Sequence, residues 1–124
     1  MRRSDWVFLP AIAYGILIFF LSSRPGDELP TTPTVGFPVD KIVHTLEYAL
    51  LALLIYAGVR WSRRPFSNQT FALSLTICIV YAATDEIHQM FVPGRDGNMG
   101  DLVADAIGAL IVLLPARYFQ KSSD

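Results

Sequence analysis

The placement of the charged residues constrains this chain most, because they stand at or just inside the ends of long apolar runs. An ionisable side chain at the centre of a bilayer costs roughly 2.5–3.5 kcal/mol on insertion scales. A chain that carries several such groups is expected to use them. The residues concerned are Asp40, Lys41, His44, Glu47, Asp85, Glu86, His88, Arg95, Asp101 and Asp105.

Four apolar segments are long enough to cross a membrane: residues 6–22, 42–59, 71–89 and 102–119. A crossing helix needs about 20 mainly apolar residues, with a range near 17–25. Hydrophobic residues make up 52% of the 124 residues and the mean hydropathy is +0.40, values typical of a small integral membrane protein. The sequence therefore predicts an all-α, polytopic membrane protein with four transmembrane helices in a single domain, residues 1–124. A soluble four-helix bundle is disfavoured, because no polar face runs along residues 6–22 or 71–84.

The distribution of Lys and Arg predicts the orientation. Seven of the ten basic residues fall at the N-terminus, in residues 60–70 and at the C-terminus, which a four-helix topology places on one side. Because basic loops face the cytoplasm, both termini are expected there, with residues 23–39 and 90–100 outside. Trp6, Trp61, Phe66 and Tyr118 would then form an inner interfacial belt. The first segment is expected to be retained, since no small-x-small cleavage pattern follows it.

Polar residues recur at helical spacing on three of the segments. Spacings of i, i+4 and i+7 place side chains on one helix face. In lipid, such faces turn toward each other or toward a water-filled cleft, so we expect one outward-opening pocket. Its residues are Asp40, His44, Glu47 and Tyr48 on the second segment, Asp85, Glu86, His88 and Gln89 on the third, and Asp101, Asp105 and Gly108 on the fourth.

We expect the polar faces of the second and third segments to be in contact, and the fourth segment to pack closely against a neighbour. His44 and Glu47 on the second segment should approach Asp85 and Gln89 on the third within hydrogen-bonding or one-water distance, since none can face lipid cheaply. The small residue Gly108 could let the fourth helix approach a neighbour closely.

Structural roles remain open for several of the charges. Asp40 and Asp101 each precede an apolar run and could act only as N-caps. Lys41 could only snorkel to the head groups, and Glu86 could be a solvated charge at a helix end. His44 and Glu47 could simply hold two helices together.

Asp105 is harder to dismiss, because it lies about one turn deeper than Asp101, or about 6 Å at 1.5 Å per residue. A lone carboxylate there should find a cation or take up a proton. Arg95 is the expected partner, with Lys41 as the alternative. A purely structural pair predicts that Asp105→Asn is nearly neutral for activity.

Catalytic chemistry is less strongly indicated. His with Asp or Glu can bind zinc or manganese, but the sequence has no HExxH and its HxxE spacing is unspecific, so neither a resident metal nor another cofactor is predicted. His44 with Glu47, or His88 with Asp85, could act as a general acid–base pair.

Other features point to no chemistry. No nucleophile motif surrounds Ser22 and Ser23. The single Cys78 lies inside the third apolar run and is interpreted as packing. The net charge is −1 and no basic stripe is present, so nucleic acid is not an expected partner.

An ordered set of motifs nevertheless resembles the VanZ-like family of small bacterial membrane proteins, and the similarity covers nearly the whole chain. Asp105 departs from the pattern, since Asn is expected there, and Arg24 stands where Gln is expected. The motifs are Ser22-Ser23-Arg24-Pro25, Asp40-Lys41-x-x-His44-x-x-Glu47-Tyr48, Asp85-Glu86-x-His88-Gln89-x-Phe91-x-Pro93-Gly94-Arg95 and Asp101-x-x-x-Asp105-x-x-Gly108.

The resemblance implies a multi-pass protein of the bacterial cytoplasmic membrane, in contact with membrane lipids and linked to resistance to the glycopeptide teicoplanin. The pocket is then expected to recognise a lipid-linked cell-wall intermediate, or a glycopeptide or lipopeptide antibiotic. Lys41 and Arg95 would provide positive charge for a phosphate or carboxylate. Two alternatives remain open: a metal-assisted or acid–base hydrolase or transferase acting on lipid-linked substrates, and a structural or partner-binding subunit.

Overall fold

The computed structural model describes residues 6–29, 39–63 and 67–122, and all regular secondary structure in those ranges is helical. A 3-10 turn, Trp6–Phe8, leads into α1 (Leu9–Ser22), and a second one covers Gly26–Glu28. Three longer helices follow: α2 (Val39–Arg63), α3 (Ser67–Gln89) and α4 (Met99–Lys121). The all-α prediction with four main helices is therefore confirmed.

Three of the helices are long and apolar enough to cross a membrane, namely α2, α3 and α4. The 23 residues of α3 extend about 35 Å, which exceeds a hydrocarbon core about 30 Å thick. The 14 residues of α1 extend only about 21 Å. This apolar helix, predicted from the sequence to be the first of four crossings, is therefore shorter than the other three helices. The orientation of the termini and the single-domain assignment stay predictions.

The core lies between α2, α3 and α4, and α4 comes closest to α2 at Gly108. A side chain at this position would overlap the carbonyl oxygen of Thr45 on α2. The predicted close approach of the fourth helix is therefore confirmed. Cys78 is fully buried, as expected of a packing residue. The other core residues of α2, α3 and α4 are Tyr48, Leu51, Ala52, Ile55, Tyr56, Val59, Ala82, Ala109 and Leu113.

Helix α1 packs on the side of this core, against α2 and α3. At its beginning, the ring of Phe8 lies where a side chain at Gly58 would be. In its middle, the hydroxyl group of Tyr81 donates a hydrogen bond to the carbonyl oxygen of Gly15, at 2.5 Å. These contacts place the end of α1 beside the ends of the other helices that carry the polar residues.

Helices α2 and α4 do not begin at the residues that the sequence suggested. Helix α4 begins at Met99 and is capped by Asn98, whose side-chain oxygen accepts the backbone N–H of Gly100 at 2.8 Å. Helix α2 begins at Val39. The N-cap interpretation of Asp40 and Asp101 was therefore wrong: both lie inside a first turn, where their carboxylates are free to bind other side chains.

The two connections at the polar end touch each other through glycines. The backbone N–H of Gly26 donates to the carbonyl oxygen of Pro93, at 3.0 Å. Gly94 has a φ of +72°, a conformation that residues with a Cβ rarely adopt. A side chain on Gly26 would overlap the backbone of Gly94. Because Arg95 follows directly, this contact determines the position of the backbone from which its side chain extends.

Some predictions fall partly outside the described residues. Residues 30–38 of the connection predicted to be outside and Phe66 of the aromatic belt lie there. Trp6, Trp61 and Tyr118 are exposed at the end of the bundle opposite the polar residues. That placement agrees with an interfacial belt, whose membrane side remains a prediction.

Candidate functional site

The structure gathers the predicted site residues at one end of the bundle, where α1 and α3 end and α2 and α4 begin. They form three groups with different partners. One joins α2 to α4, one surrounds Asp85 between α1, α2 and α3, and one joins α3 to the end of α1.

The first group joins α2 to α4 through a histidine–carboxylate contact and an ion pair. His44 Nδ1 lies 3.0 Å from Asp105 Oδ1. Lys41 Nζ lies 3.1 Å from Asp40 Oδ2 and also pairs with Asp101. Lys41 therefore holds the two helix starts together and does not only snorkel, and two carboxylates already neutralise its charge.

The expected pairing of Asp105 with Arg95 was wrong. Asp105 is 1% exposed and faces α2, where His44 occupies the position of its partner. Arg95 lies in the α3–α4 connection and forms no ion pair with any described residue.

The second group surrounds the Asp85 carboxylate, which is 6% exposed. Its Oδ2 atom lies 2.9 Å from Ser22 Oγ, 3.3 Å from Tyr48 Oη and 3.2 Å from Gln89 Nε2. Ser22 Oγ is also 2.9 Å from the carbonyl oxygen of Ile18, and its single proton can serve only one of the two acceptors. Tyr48 of α2 thus makes the hydrogen bond to Asp85 of α3 for which the sequence suggested His44 or Glu47.

The third group joins α3 to the end of α1. His88 Nε2 lies 2.9 Å from Ser23 Oγ, and the ring of Phe19 stacks on the imidazole with 4.6 Å between centroids. Over the residues that the structure describes, His88 makes no contact with Asp85 of the kind a general acid–base pair needs. The predicted His88–Asp85 pairing was therefore wrong, because the imidazole turns toward α1.

Glu86 has a separate role on the other face of α3. Its side chain is 7% exposed and accepts the backbone N–H of Asn98. The interpretation as a solvated charge was wrong. Glu86 instead holds the α3–α4 connection against α3, just before α4 begins.

Three polar groups at this end of the bundle still have hydrogen-bonding capacity. Asp85 Oδ1 and Arg95 Nε are buried and have no hydrogen-bond partner among residues 6–29, 39–63 and 67–122. The half-buried carboxyl group of Glu47 makes no hydrogen bond to any residue in these ranges. It lies within electrostatic range of Asp85, Arg95, His44 and Asp105. A buried group without a hydrogen bond costs about 1–3 kcal/mol, so a ligand that satisfies these groups would be stabilised there.

Several residues of this region were missed or undervalued in the sequence. Ser22, Ser23 and Asn98 each bind a polar group, although no nucleophile or capping motif marked them. The available signal was position, since both serines end the first apolar run at the level of the other polar residues. Among the described residues, no group of three or more His, Cys, Asp or Glu side chains is arranged to hold a metal ion.

Three helices long enough to cross a bilayer, with buried ionisable side chains gathered at one end, define a multi-pass membrane protein. The sequence profile of the VanZ/LLP1 family matches residues 6–120. The chain therefore belongs to the VanZ/LLP1 family, and the resemblance seen in its motifs is confirmed. Comparison with curated proteins and with solved structures found no match.

Proposed function

We propose that this protein recognises the polar head of a lipid-linked envelope component, or a glycopeptide or lipopeptide antibiotic, and thereby contributes to antibiotic resistance. The recognition site, named here the polar pocket, consists of Glu47, Asp85 and Arg95 with their neighbours Tyr48 and Gln89. In this proposal the pocket opens on the outer face of the bacterial cytoplasmic membrane, with both termini in the cytoplasm.

The observation that carries the proposal is the unsatisfied hydrogen-bonding capacity of the polar pocket. A structural subunit would be expected to close its polar core, because unpaired buried groups destabilise the fold. Here an acceptor, Asp85 Oδ1, and a donor, Arg95 Nε, are buried and unpaired within the described part of the chain, beside the open carboxyl group of Glu47. A polar ligand is the simplest partner for such a set.

The charges of the polar pocket favour a head rich in hydroxyl or amide groups. Lys41 is neutralised by Asp40 and Asp101, and His44 is engaged by Asp105, so Arg95 is the cation left for a ligand near Glu47. Glu47 and Asp85 outnumber this single guanidinium group, and a strongly anionic head would be repelled. Sugar hydroxyl or peptide amide groups can donate to Glu47 and Asp85 Oδ1 while an oxygen accepts from Arg95. Lys41, which the sequence suggested as a cation for the ligand, is therefore not included in the polar pocket.

The test is teicoplanin susceptibility in a susceptible bacterium that expresses the protein. We expect the wild-type chain to raise the inhibitory concentration, and Glu47→Gln and Arg95→Gln to abolish most of the increase. Asp27→Asn is the matched control, because Asp27 is an exposed acid in the connection after α1. Membrane levels of each variant are compared by immunoblot. Full resistance in a Glu47→Gln, Arg95→Gln double variant would contradict the proposal.

One observation favours a second candidate, a hydrolase or transferase acting on lipid-linked esters. His88 Nε2 lies 2.9 Å from Ser23 Oγ and could take its proton as a general base. Ser23 Oγ, however, lies closer to the carbonyl oxygen of Phe19, at 2.6 Å, which engages the same proton and ranks this candidate second. Labelling of the purified protein by a serine-reactive fluorophosphonate, lost in Ser23→Ala and reduced in His88→Asn, would support it. An unlabelled wild-type protein would exclude an activated Ser23.

A further inference from the structure

An apolar groove of about 580 Å³ lies between α1 and the pair formed by α2 and α3. It is lined by Ile12 and Ile16 of α1, Leu51 and Ile55 of α2, and Ile77 and Tyr81 of α3. We propose that this groove holds one hydrocarbon chain of the same ligand whose head the polar pocket binds. The inference rests on the proposed function and defines the ligand as an amphiphile with a glycosyl-type head and a long apolar chain.

The size of the groove shows that the protein alone does not fill it. Protein interiors are packed like organic crystals, with few voids larger than a water molecule. A volume of about 580 Å³ falls in the range of ligand pockets, about 300–1,000 Å³. Because its walls are apolar, water would gain few hydrogen bonds there. Within a membrane span, hydrocarbon is the natural occupant.

The groove is built into the attachment of α1. Phe8 packs at Gly58 at one end, and Ser22 binds Asp85 at the other. Between these points, the hydrogen bond from Tyr81 to the Gly15 carbonyl oxygen sets the spacing between α1 and α3. The helix is thus held at both ends and along one side, so the space beneath it is a defined feature of the fold.

The groove lies next to the polar pocket. Tyr81 lines the groove, and its ring centroid is 6.3 Å from that of Tyr48, whose hydroxyl group reaches Asp85. Asp85 follows Tyr81 by one helical turn, about 6 Å along the axis. A chain that lies in the groove therefore has its polar-end terminus within about one helical turn of Asp85. This nearness is the reason for assigning the groove to the ligand's own chain rather than to bulk lipid.

The experiment uses two photoreactive lipids that share one diazirine-bearing acyl chain and differ in the head group. One is a diglycosyl diacylglycerol and the other is phosphatidylcholine, each added in trace amounts to phosphatidylcholine vesicles that contain the full-length protein. Adducts are mapped by mass spectrometry after irradiation. We expect the glycolipid to label the groove residues about tenfold more than the phosphatidylcholine probe, a preference of about 1.4 kcal/mol.

A matched pair of variants assigns the signal to the groove. Ile12→Trp adds bulk inside the groove, whereas Leu17→Trp adds the same bulk to an exposed position of α1 away from the groove lining. Glycolipid adducts on Leu51 and Ile55 should fall to the phosphatidylcholine level in Ile12→Trp and stay at the wild-type level in Leu17→Trp. Equal loss, or no loss, in both variants would overturn the assignment.

The remaining outcomes separate the groove from the pocket. Equal groove labelling by both lipids would show that bulk lipid fills the groove. A disulfide-linked dimer of the Ile16→Cys variant would show that a second copy of the protein covers it. Either result overturns the inference. Glycolipid labelling of the groove that is unchanged by Arg95→Gln would refute the polar pocket while leaving the groove occupied. If the glycolipid probe is preferred in an Arg95-dependent way but labels Val103 or Ile111 of α4 instead of the groove residues, the polar pocket stands and the groove assignment is refuted.

Discussion

The imidazole of His44 and the carboxyl group of Asp105 meet in the interface between α2 and α4, with 3.0 Å between Nδ1 and Oδ1. Asp105 is 1% exposed, so this contact supplies its hydrogen bond away from solvent. The pair lies one turn deeper than the Lys41–Asp101 pair, and together the two pairs align the starts of both helices. This arrangement gives Asp105 a structural partner that the sequence did not reveal.

Replacing Asp105 by Asn should preserve function. An Asn oxygen can accept the same hydrogen bond from His44, so we expect near wild-type resistance and a loss of about 1 kcal/mol in the free energy of unfolding. Asp105→Leu removes the acceptor and leaves the partly buried imidazole of His44 without this hydrogen bond, which should cost about 1–3 kcal/mol. Thermal unfolding in detergent and teicoplanin susceptibility measure the two effects. A folded Asp105→Asn protein without any resistance would assign Asp105 to the ligand instead.

Two glycines inside helices should respond oppositely to alanine. At Gly108 the added methyl group would overlap the carbonyl oxygen of Thr45, a backbone atom that cannot move alone, and overpacking of this kind costs about 1–3 kcal/mol. At Gly15 it would lie 3.7 Å from the ring of Tyr81, an ordinary contact, and Ala favours the helix by up to about 1 kcal/mol. Unfolding temperatures should therefore fall for Gly108→Ala and hold or rise for Gly15→Ala. A stable Gly108→Ala protein would contradict the close α2–α4 contact.

The contact between the two polar-end connections should be needed to position Arg95. Gly26→Ala forces the connections apart, because the methyl group would overlap the backbone of Gly94. We expect resistance to fall as far as in Arg95→Gln. Gly97→Ala is the control in the same connection, since its methyl group would overlap no backbone atom: it meets the Met90 side chain, which is exposed and can turn away, and lies 3.8 Å from the carbonyl oxygen of Glu86. Unchanged resistance in Gly26→Ala would show that Arg95 does not depend on this contact.

The orientation can be tested by labelling introduced cysteines in intact cells with an impermeant maleimide. Asp27→Cys lies in the connection predicted to be outside, and Gln69→Cys lies at the start of α3, on the side predicted to be cytoplasmic; both positions are exposed. We expect labelling at position 27 in intact cells and at position 69 only after permeabilisation. Cys78 is buried and contributes little background. The reverse pattern would invert the topology and place the polar pocket in the cytoplasm.

Hydropathy and spacing determined the class of this protein and the faces of its helices. Apolar runs of about 20 residues must be helical in lipid, where every backbone group needs an internal partner. The i, i+4, i+7 spacing then placed Asp40, His44 and Glu47 on one face of α2 from local geometry alone. The motifs in these helices also carried the resemblance to the VanZ/LLP1 family, which the match over residues 6–120 confirms.

The tertiary structure decided which polar groups meet. Asp105 pairs with His44 rather than Arg95, because the rotation of α4 against α2 and the path of the α3–α4 connection depend on packing between segments distant in sequence. Ser22 reaches Asp85 across 63 positions for the same reason. Helical periodicity is a local property that a sequence carries in every turn. A hydrogen bond between helices depends on how closely Gly108 lets two backbones approach, and only the folded chain determines that distance.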